Sequence, residues 1–280
     1  VKEKNLEDGV YKGYINGLND PYSVYYNKKE TKELYESTGG EYSGIGAVMS
    51  QNTETGVITL VQIYKESPAE KAGLKANDIL YKVEGKEVTG KDLSKVVSKV
   101  KGEKGTTVEL TVLRGEDAKE VTVTATRDTV QAQTIEYKMM DDKIGYIRVS
   151  EFDTVTYDQY KEALDDLEKQ GMTGLVVDLR NNPGGSLSTV CDMLDLMLPK
   201  GLIVYTEDKN GKKTEMKSDE EHQFTKPLAV LVNGNSASAS EIYSGAIQDY
   251  GIGKIVGTQT YGKGVVQQIF DLDDGTAVKL

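Results

Sequence analysis

The sequence predicts a mixed α/β protein with three pieces: an N-terminal helical segment over residues 1–38, a β-rich module over 39–129, and an α/β core over 130–280. Three observations carry this expectation. Leu6, Val10 and Ile15, then Leu34 and Tyr35, recur at helical spacing. From residue 41 to 127 the chain breaks into short alternating runs bounded by glycine-bearing turns. Beyond residue 130, strand-like and helix-like stretches take turns, as strand–helix units with a largely parallel sheet require.

In the first piece, Asn19-Asp20-Pro21-Tyr22-Ser23 reads as a turn between two helices, and Gly39-Gly40 reads as a hinge. In the module, five to six strands and two helices are expected. Gly44–Met49 and Val57–Val61 read as strands. Ser67 fits the N-cap of a short helix, with Pro68 in its first turn and Gly73 as its stop. A strand over 78–85 precedes an amphipathic helix over 92–100, with Leu93, Val96, Val97 and Val100 on one side. Strands over 107–114 and 120–127 complete the module. The core reads as a strand at 144–149, a helix at 157–170 and a buried strand at 175–179. A glycine-rich loop at 180–186, a helix at 187–198, a strand at 228–232 and a helix from about 238 follow. Ile255-Val256 starts a strand pair that runs to Leu280.

The 38% hydrophobic and 28% charged content describes a folded chain, and 280 residues exceed the usual size of one domain. A net charge of −11 argues against nucleic-acid binding, which needs a basic face to neutralise phosphates. Cys191 is the only cysteine, so neither an internal disulfide nor a cysteine metal site is available, and its apolar surroundings predict a buried small side chain. No run approaches the ~18 apolar residues of a membrane span. The chain starts at Val1 without a signal peptide and stops inside strand-like sequence, so its natural ends are expected outside these residues. His222, the only histidine, lies in a charged stretch that reads as a solvated loop. A Ser–His–Asp triad would have to use it, so a hydrolase built on this chain is expected to use another base.

Four constellations bear on chemistry. Gly44-Ile45-Gly46 forms a glycine turn that can offer N–H groups to a carboxylate, next to a strand open to β-augmentation. Asp178-Leu179-Arg180-Asn181-Asn182-Pro183-Gly184-Gly185 ends a buried strand in a loop able to hold an oxyanion, or simply to turn into a helix. Ser236, Ser238 and Ser240 precede a helix; each is a candidate nucleophile, and Ser238 with Glu241 also fits a capping box. Lys263 stands between glycines and shares a strand face with Val265 and Gln267 under period-two alternation. Their Cα atoms would then lie ~13 Å apart, so direct contact requires converging side chains or a bend at Gly264. A lysine there acts as a base only if burial lowers its pKa.

Residues 41–127 resemble a PDZ domain, with Gly44, Ile45 and Gly46 matching its carboxylate-binding loop. Over nearly its whole length, the chain resembles the carboxyl-terminal processing (tail-specific) serine proteases. The motifs at 179–185, 236–242 and 261–267 carry that resemblance. It implies Ser238 as nucleophile, Lys263 as general base, Gln267 as the residue holding the lysine, and backbone N–H groups of Gly184 and Ala239 as the oxyanion hole. It also implies protein or peptide substrates recognised by their C-terminal tails, an extracytoplasmic site of action, and no metal or cofactor. A regulatory partner, a homo-oligomer and a membrane anchor upstream of Val1 are compatible with it. Family members continue beyond residue 280. Two other readings compete: a catalytically silent or activator-dependent PDZ binding protein, and an acyl-CoA enzyme of the crotonase type, which has no use for a PDZ module.

Overall fold

The computed structural model describes residues 3–219 and 221–280, so the first two residues of the expected N-terminal helix and residue 220 of the His222 stretch lie outside it. The chain forms two compact units, Val1–Gly40 together with Thr134–Leu280, and Glu41–Gln133. This division differs from the expected one: the N-terminal helices belong to the core unit, and the module spans 41–133 rather than 39–129. The reason is a strand that the turn-like sequence hid. Between helices Glu3–Asn16 and Lys28–Gly39, residues Val24–Tyr26 pair antiparallel with Ala277–Lys279, which pairs in turn with Ile269–Asp271.

The core unit is built on five strands in the order Ile135–Met139, Ile144–Val149, Gly174–Asp178, Leu228–Val232, Lys254–Gly257. The first pair is antiparallel and the others are parallel. Helices Thr156–Lys169, Leu187–Asp195 and Ala239–Asp249 supply the rest of one apolar core, which includes Val149, Leu167, Val177, Val190, Leu194 and Val230. Two phenols are sunk in that core, and each needs a partner there. The Tyr160 and Tyr243 hydroxyls supply one another at 2.7 Å, fastening helix Ala239–Asp249 to helix Thr156–Lys169. Cys191 is buried as expected, and burial pushes its thiol up to about 11.

One expectation fails near the C-terminus. Lys254–Gly257 does not begin a strand pair running to Leu280; it is the edge strand of the parallel sheet, and residues 258–268 form no strand. Gly257 and Gly262 have φ of 143° and 88°, outside the β region. The N–H groups of Gly262 and Lys263 bond to the Glu241 side chain in place of a neighbouring strand. A hairpin, Gly201–Glu207 with Lys213–Ser218, was not foreseen.

The second unit is a six-stranded antiparallel sheet with helices Pro68–Lys71 and Leu93–Val100 over a core that includes Ile45, Leu60, Leu80, Val96, Val100 and Leu110. Ser67 caps its helix as expected, accepting the Glu70 N–H at 3.2 Å. Strand Ala47–Gln51 lies at one edge of the sheet. The Arg127 guanidinium, almost wholly buried, donates to the carbonyls of Lys99 and Val100 at the end of helix Leu93–Val100 and to the carbonyl of Thr107. Among the described residues, no helix is long and apolar enough to cross a membrane.

Within the core unit, Asp153 is 5% exposed. Burial, reinforced by the Glu151 charge, raises its carboxyl to about 7. A carboxyl raised on folding binds more protons in the native state, so stability is lost as pH climbs from about 4 to 7. Asp153→Asn is therefore expected to raise the melting temperature at pH 8 and to change it little at pH 5; equal shifts at both would contradict this origin. Arg127→Met orphans three carbonyls and is expected to cost about 3 kcal/mol in denaturant unfolding of the second unit. A cost below about 1 kcal/mol would show that those carbonyls find other partners.

Candidate active site

The site forms beyond the carboxyl ends of the parallel strands, where loops 179–186 and 233–238 leave Gly174–Asp178 and Leu228–Val232. Asp178 anchors the first loop. It is buried, which works against its charge, but Arg180 at 2.6 Å and the Tyr146 hydroxyl at 2.7 Å prevail and hold its carboxyl below the usual range. Asn181, at φ 63°, takes hydrogen bonds from the side chains of Asn233 and Asn235, lacing the two loops together. Asn182 is wholly buried and works in three directions. Its amide donates to the Val149 carbonyl, its Oδ1 accepts the Gly184 N–H at 2.8 Å, and its carbonyl accepts the Ala237 N–H.

Gly184 has φ 107°, and a Cβ there would lie 2.8 Å from Ser238 Cβ and 2.9 Å from the Ala239 nitrogen. Only glycine permits that approach. The loop therefore touches the head of helix Ala239–Asp249. In this arrangement, however, the Gly184 N–H is committed to Asn182. The Ala239 N–H, first in its helix, has no intrahelical acceptor.

The three serines, equivalent in the sequence, separate here. Ser236 is fully buried and donates to the Leu179 carbonyl at 2.7 Å; Ser240 is fully buried and donates to the Asn182 carbonyl at 2.9 Å. Both hydroxyls hold the loops together. Ser238 is half-buried, with φ 53° and ψ −114°, a conformation that non-glycine residues rarely adopt. Its N–H donates to Glu241 at 2.8 Å, the reciprocal arm of the expected capping box.

Glu241 does more than cap. The same carboxylate accepts the N–H of Gly262 at 2.6 Å and of Lys263 at 2.9 Å. Burial opposes its charge, but the bonds from Lys263, Gly262, Thr260 and Ser238 outweigh that and keep its carboxyl below the ordinary value. Lys263 Nζ donates to Gln267 Oε1 at 2.7 Å. The chain bends between them, so the shared strand face expected for Lys263, Val265 and Gln267 does not exist, yet Lys263 and Gln267 meet. Desolvation, with the charge of Lys279, holds the Lys263 amine below the ordinary lysine value. Among the described residues, no hydrogen bond joins Lys263 Nζ to Ser238 Oγ.

Gly44, Ile45 and Gly46 lie in the second unit. Ile45 is buried in its core, its carbonyl accepts the Ala69 N–H at 2.7 Å, and the Gly46 carbonyl accepts the Tyr64 N–H at 2.9 Å. Among the described residues, no hydrogen bond engages the N–H groups of Ile45 and Gly46. His222 is exposed, as expected of a loop. From the sequence alone Glu241 reads only as a cap, and Asn182 carries no assigned role. Glu241 is visible three residues after Ser238, but its other two partners, Gly262 and Lys263, 21 and 22 positions away, are not.

Residues 143–280 match Peptidase family S41 and residues 59–114 match the PDZ domain. The carboxy-terminal processing protease CtpA of Bacillus subtilis is 39% identical over 99% of this chain and 59% of its own length. CtpB of the same organism is 37% identical over 100% of this chain and 59% of its own length. The solved structure of the photosystem II D1 C-terminal processing protease superposes with a TM-score of 0.55 at 29% identity, covering 96% of this chain and 74% of that one. The chain thus spans a little under two thirds of the curated relatives it matches. With a mixed α/β core, a PDZ module and full-length likeness to these processing proteases, residues 143–280 of the chain belong to Peptidase family S41.

Proposed function

We propose that the protein containing this chain is a serine endopeptidase in which Ser238 attacks a peptide carbonyl and Lys263 is the general base. The observation that carries this reading is the Glu241 carboxylate, which holds the Ser238 and Lys263 backbones on one side chain. Of three serines at the loop, only Ser238 has exposure and a strained backbone. The neutral Lys263 amine takes the Ser238 proton as Oγ adds to the scissile carbonyl. The tetrahedral oxyanion is met by the Ala239 N–H and by the Gly184 N–H once Asn182 Oδ1 releases it. The Lys263 ammonium then protonates the leaving amine, and water, activated by the same lysine, hydrolyses the acyl-enzyme. Gln267 keeps the amine oriented throughout.

The substrate tail would bind the second unit. Strand Ala47–Gln51 is an open edge for β-augmentation, and the unengaged N–H groups of Ile45 and Gly46 suit a terminal carboxylate. A second reading, activator-dependent catalysis, is favoured by two features of this arrangement: Gly184 bonded to Asn182, and Lys263 bonded to Gln267 without a bond to Ser238. An extracytoplasmic site of action is part of the proposal and rests on the family resemblance.

Ser238→Ala and Lys263→Ala are each expected to lower kcat/KM on an unfolded protein with an apolar C-terminus by about 10³-fold or more. Turnover persisting in purified Lys263→Ala would refute the base assignment. Because the lysine must be neutral and its pKa is depressed, kcat/KM should rise with pH through a limb below the ordinary lysine value; a limb at or above it would contradict the desolvation argument. Glu241→Gln retains size but loses charge and one acceptor. It is expected to reduce kcat/KM at least about tenfold with the circular dichroism spectrum unchanged, and full activity would show that the bridge is dispensable.

A further inference from the structure

The turn at 19–23, read in the sequence as a connection between helices, lies at the site. Tyr22 projects from it, half-buried, with the Lys263 Nζ 4.8 Å from the centre of its ring. A cation within about 6 Å of an aromatic face is attracted by the ring quadrupole. Gln267 Oε1 takes one hydrogen of the amine, and the ring offers a second, non-covalent seat that fills best when the amine is charged. Relying on the assignment of Lys263 as base, we propose that Tyr22 is a positioning residue: its ring face holds the Lys263 side chain and stabilises the ammonium that Lys263 becomes on taking the Ser238 proton.

The ring is well held for that task. Asn19 adopts φ 53°, the Ser23 hydroxyl bonds to the Asp20 carboxylate, and Ser23 is buried. The chain then enters strand Val24–Tyr26, paired with Ala277–Lys279, while the buried Tyr25 packs its ring 5.2 Å from that of Tyr11. The ring is thereby mounted on backbone that belongs to the folded core rather than to a free loop. Tyr261 lies beside Tyr22 and, by its charge first and by burial second, raises the Tyr22 hydroxyl, so the ring stays neutral through the working range.

The charged and titratable groups around Lys263 act in opposite directions. Lys279, on the strand paired with Val24–Tyr26, repels the ammonium and joins desolvation in lowering its pKa. The Glu241 carboxylate accepts the Lys263 N–H and favours the cation, and the Tyr22 phenol is a neutral neighbour. A base that is too easily neutral accepts a proton poorly. The ring offsets part of the desolvation and does so at the moment charge appears, as the carboxylate of a serine–histidine–aspartate triad does for its imidazolium.

The test is the pH dependence of kcat and KM for the unmodified chain, Tyr22→Phe and Tyr22→Leu on one peptide substrate, with Lys263→Ala alongside. Tyr22→Leu is expected to lower kcat about three- to thirty-fold, to leave KM within about twofold, and to move the acid limb down by about half a unit or more. Tyr22→Phe keeps the ring and should restore both the rate and the limb. A limb that stays in place in Tyr22→Leu, or a Phe variant as impaired as Leu, would overturn the proposal. Should Tyr22→Leu not fold, fluorinated phenylalanines at position 22 weaken the ring face without changing its shape. The Lys263 pKa, followed by carbon-13 NMR at Cε, should fall with each added fluorine, and independence from fluorination would overturn the proposal. Activity remaining in Lys263→Ala would instead remove the base assignment, whatever position 22 does.

Discussion

The Glu241 carboxylate accepts N–H groups from Ser238, Gly262 and Lys263. Those residues come from two loops that share no secondary-structure pairing. Without that carboxylate, three N–H groups would lose their acceptor at once, and the irregular segment 258–268 would, among the described residues, be tied to the serine loop only through the Tyr261 N–H on the Ser236 carbonyl. A charged acceptor strengthens each bond, and burial makes the geometry unforgiving because an unpaired carboxylate there would be costly. The conformation of Ser238, costly in itself, persists because helix, loop and carboxylate all over-determine it.

The parallel sheet sets where this can happen. Strands Gly174–Asp178 and Leu228–Val232 are neighbours, so the loops leaving their carboxyl ends meet. Ser236 and Ser240 are consumed in stitching them, through Leu179 and Asn182, and Gly184 permits contact that any side chain would block. Ser238 is the one serine of the three that these bonds leave unburied. The Tyr160–Tyr243 pair fastens the helix beneath, so the proposed nucleophile stands on a rigid element.

Much of this was legible because it is local. Helix spacing, the Ser67 cap, the buried strand expected at 175–179 and found at Gly174–Asp178, and the loop glycines follow from residues within a few positions of one another. The choice among Ser236, Ser238 and Ser240 was not, since it depends on acceptors 57 and 58 positions away. The strand Val24–Tyr26 was missed because its partner is at the other end of the chain, and Pro21 beside it reads as a breaker. The hairpin at 201–218 escaped because its strands lack a clean buried stripe. The failed strand at 263–267 has the same origin as the site itself: alternation in the sequence gave way to N–H groups captured by Glu241.

The proposed chemistry rests on Ser238 acting as nucleophile and Lys263 as base. Its most direct measurement is the pH dependence of covalent labelling by a fluorophosphonate, with the modified residue identified by mass spectrometry. One adduct is expected, on Ser238, forming faster as pH rises through a single ionisation, with that ionisation vanishing in Lys263→Met. Labelling of another residue, or an unchanged pH profile in Lys263→Met, would contradict it.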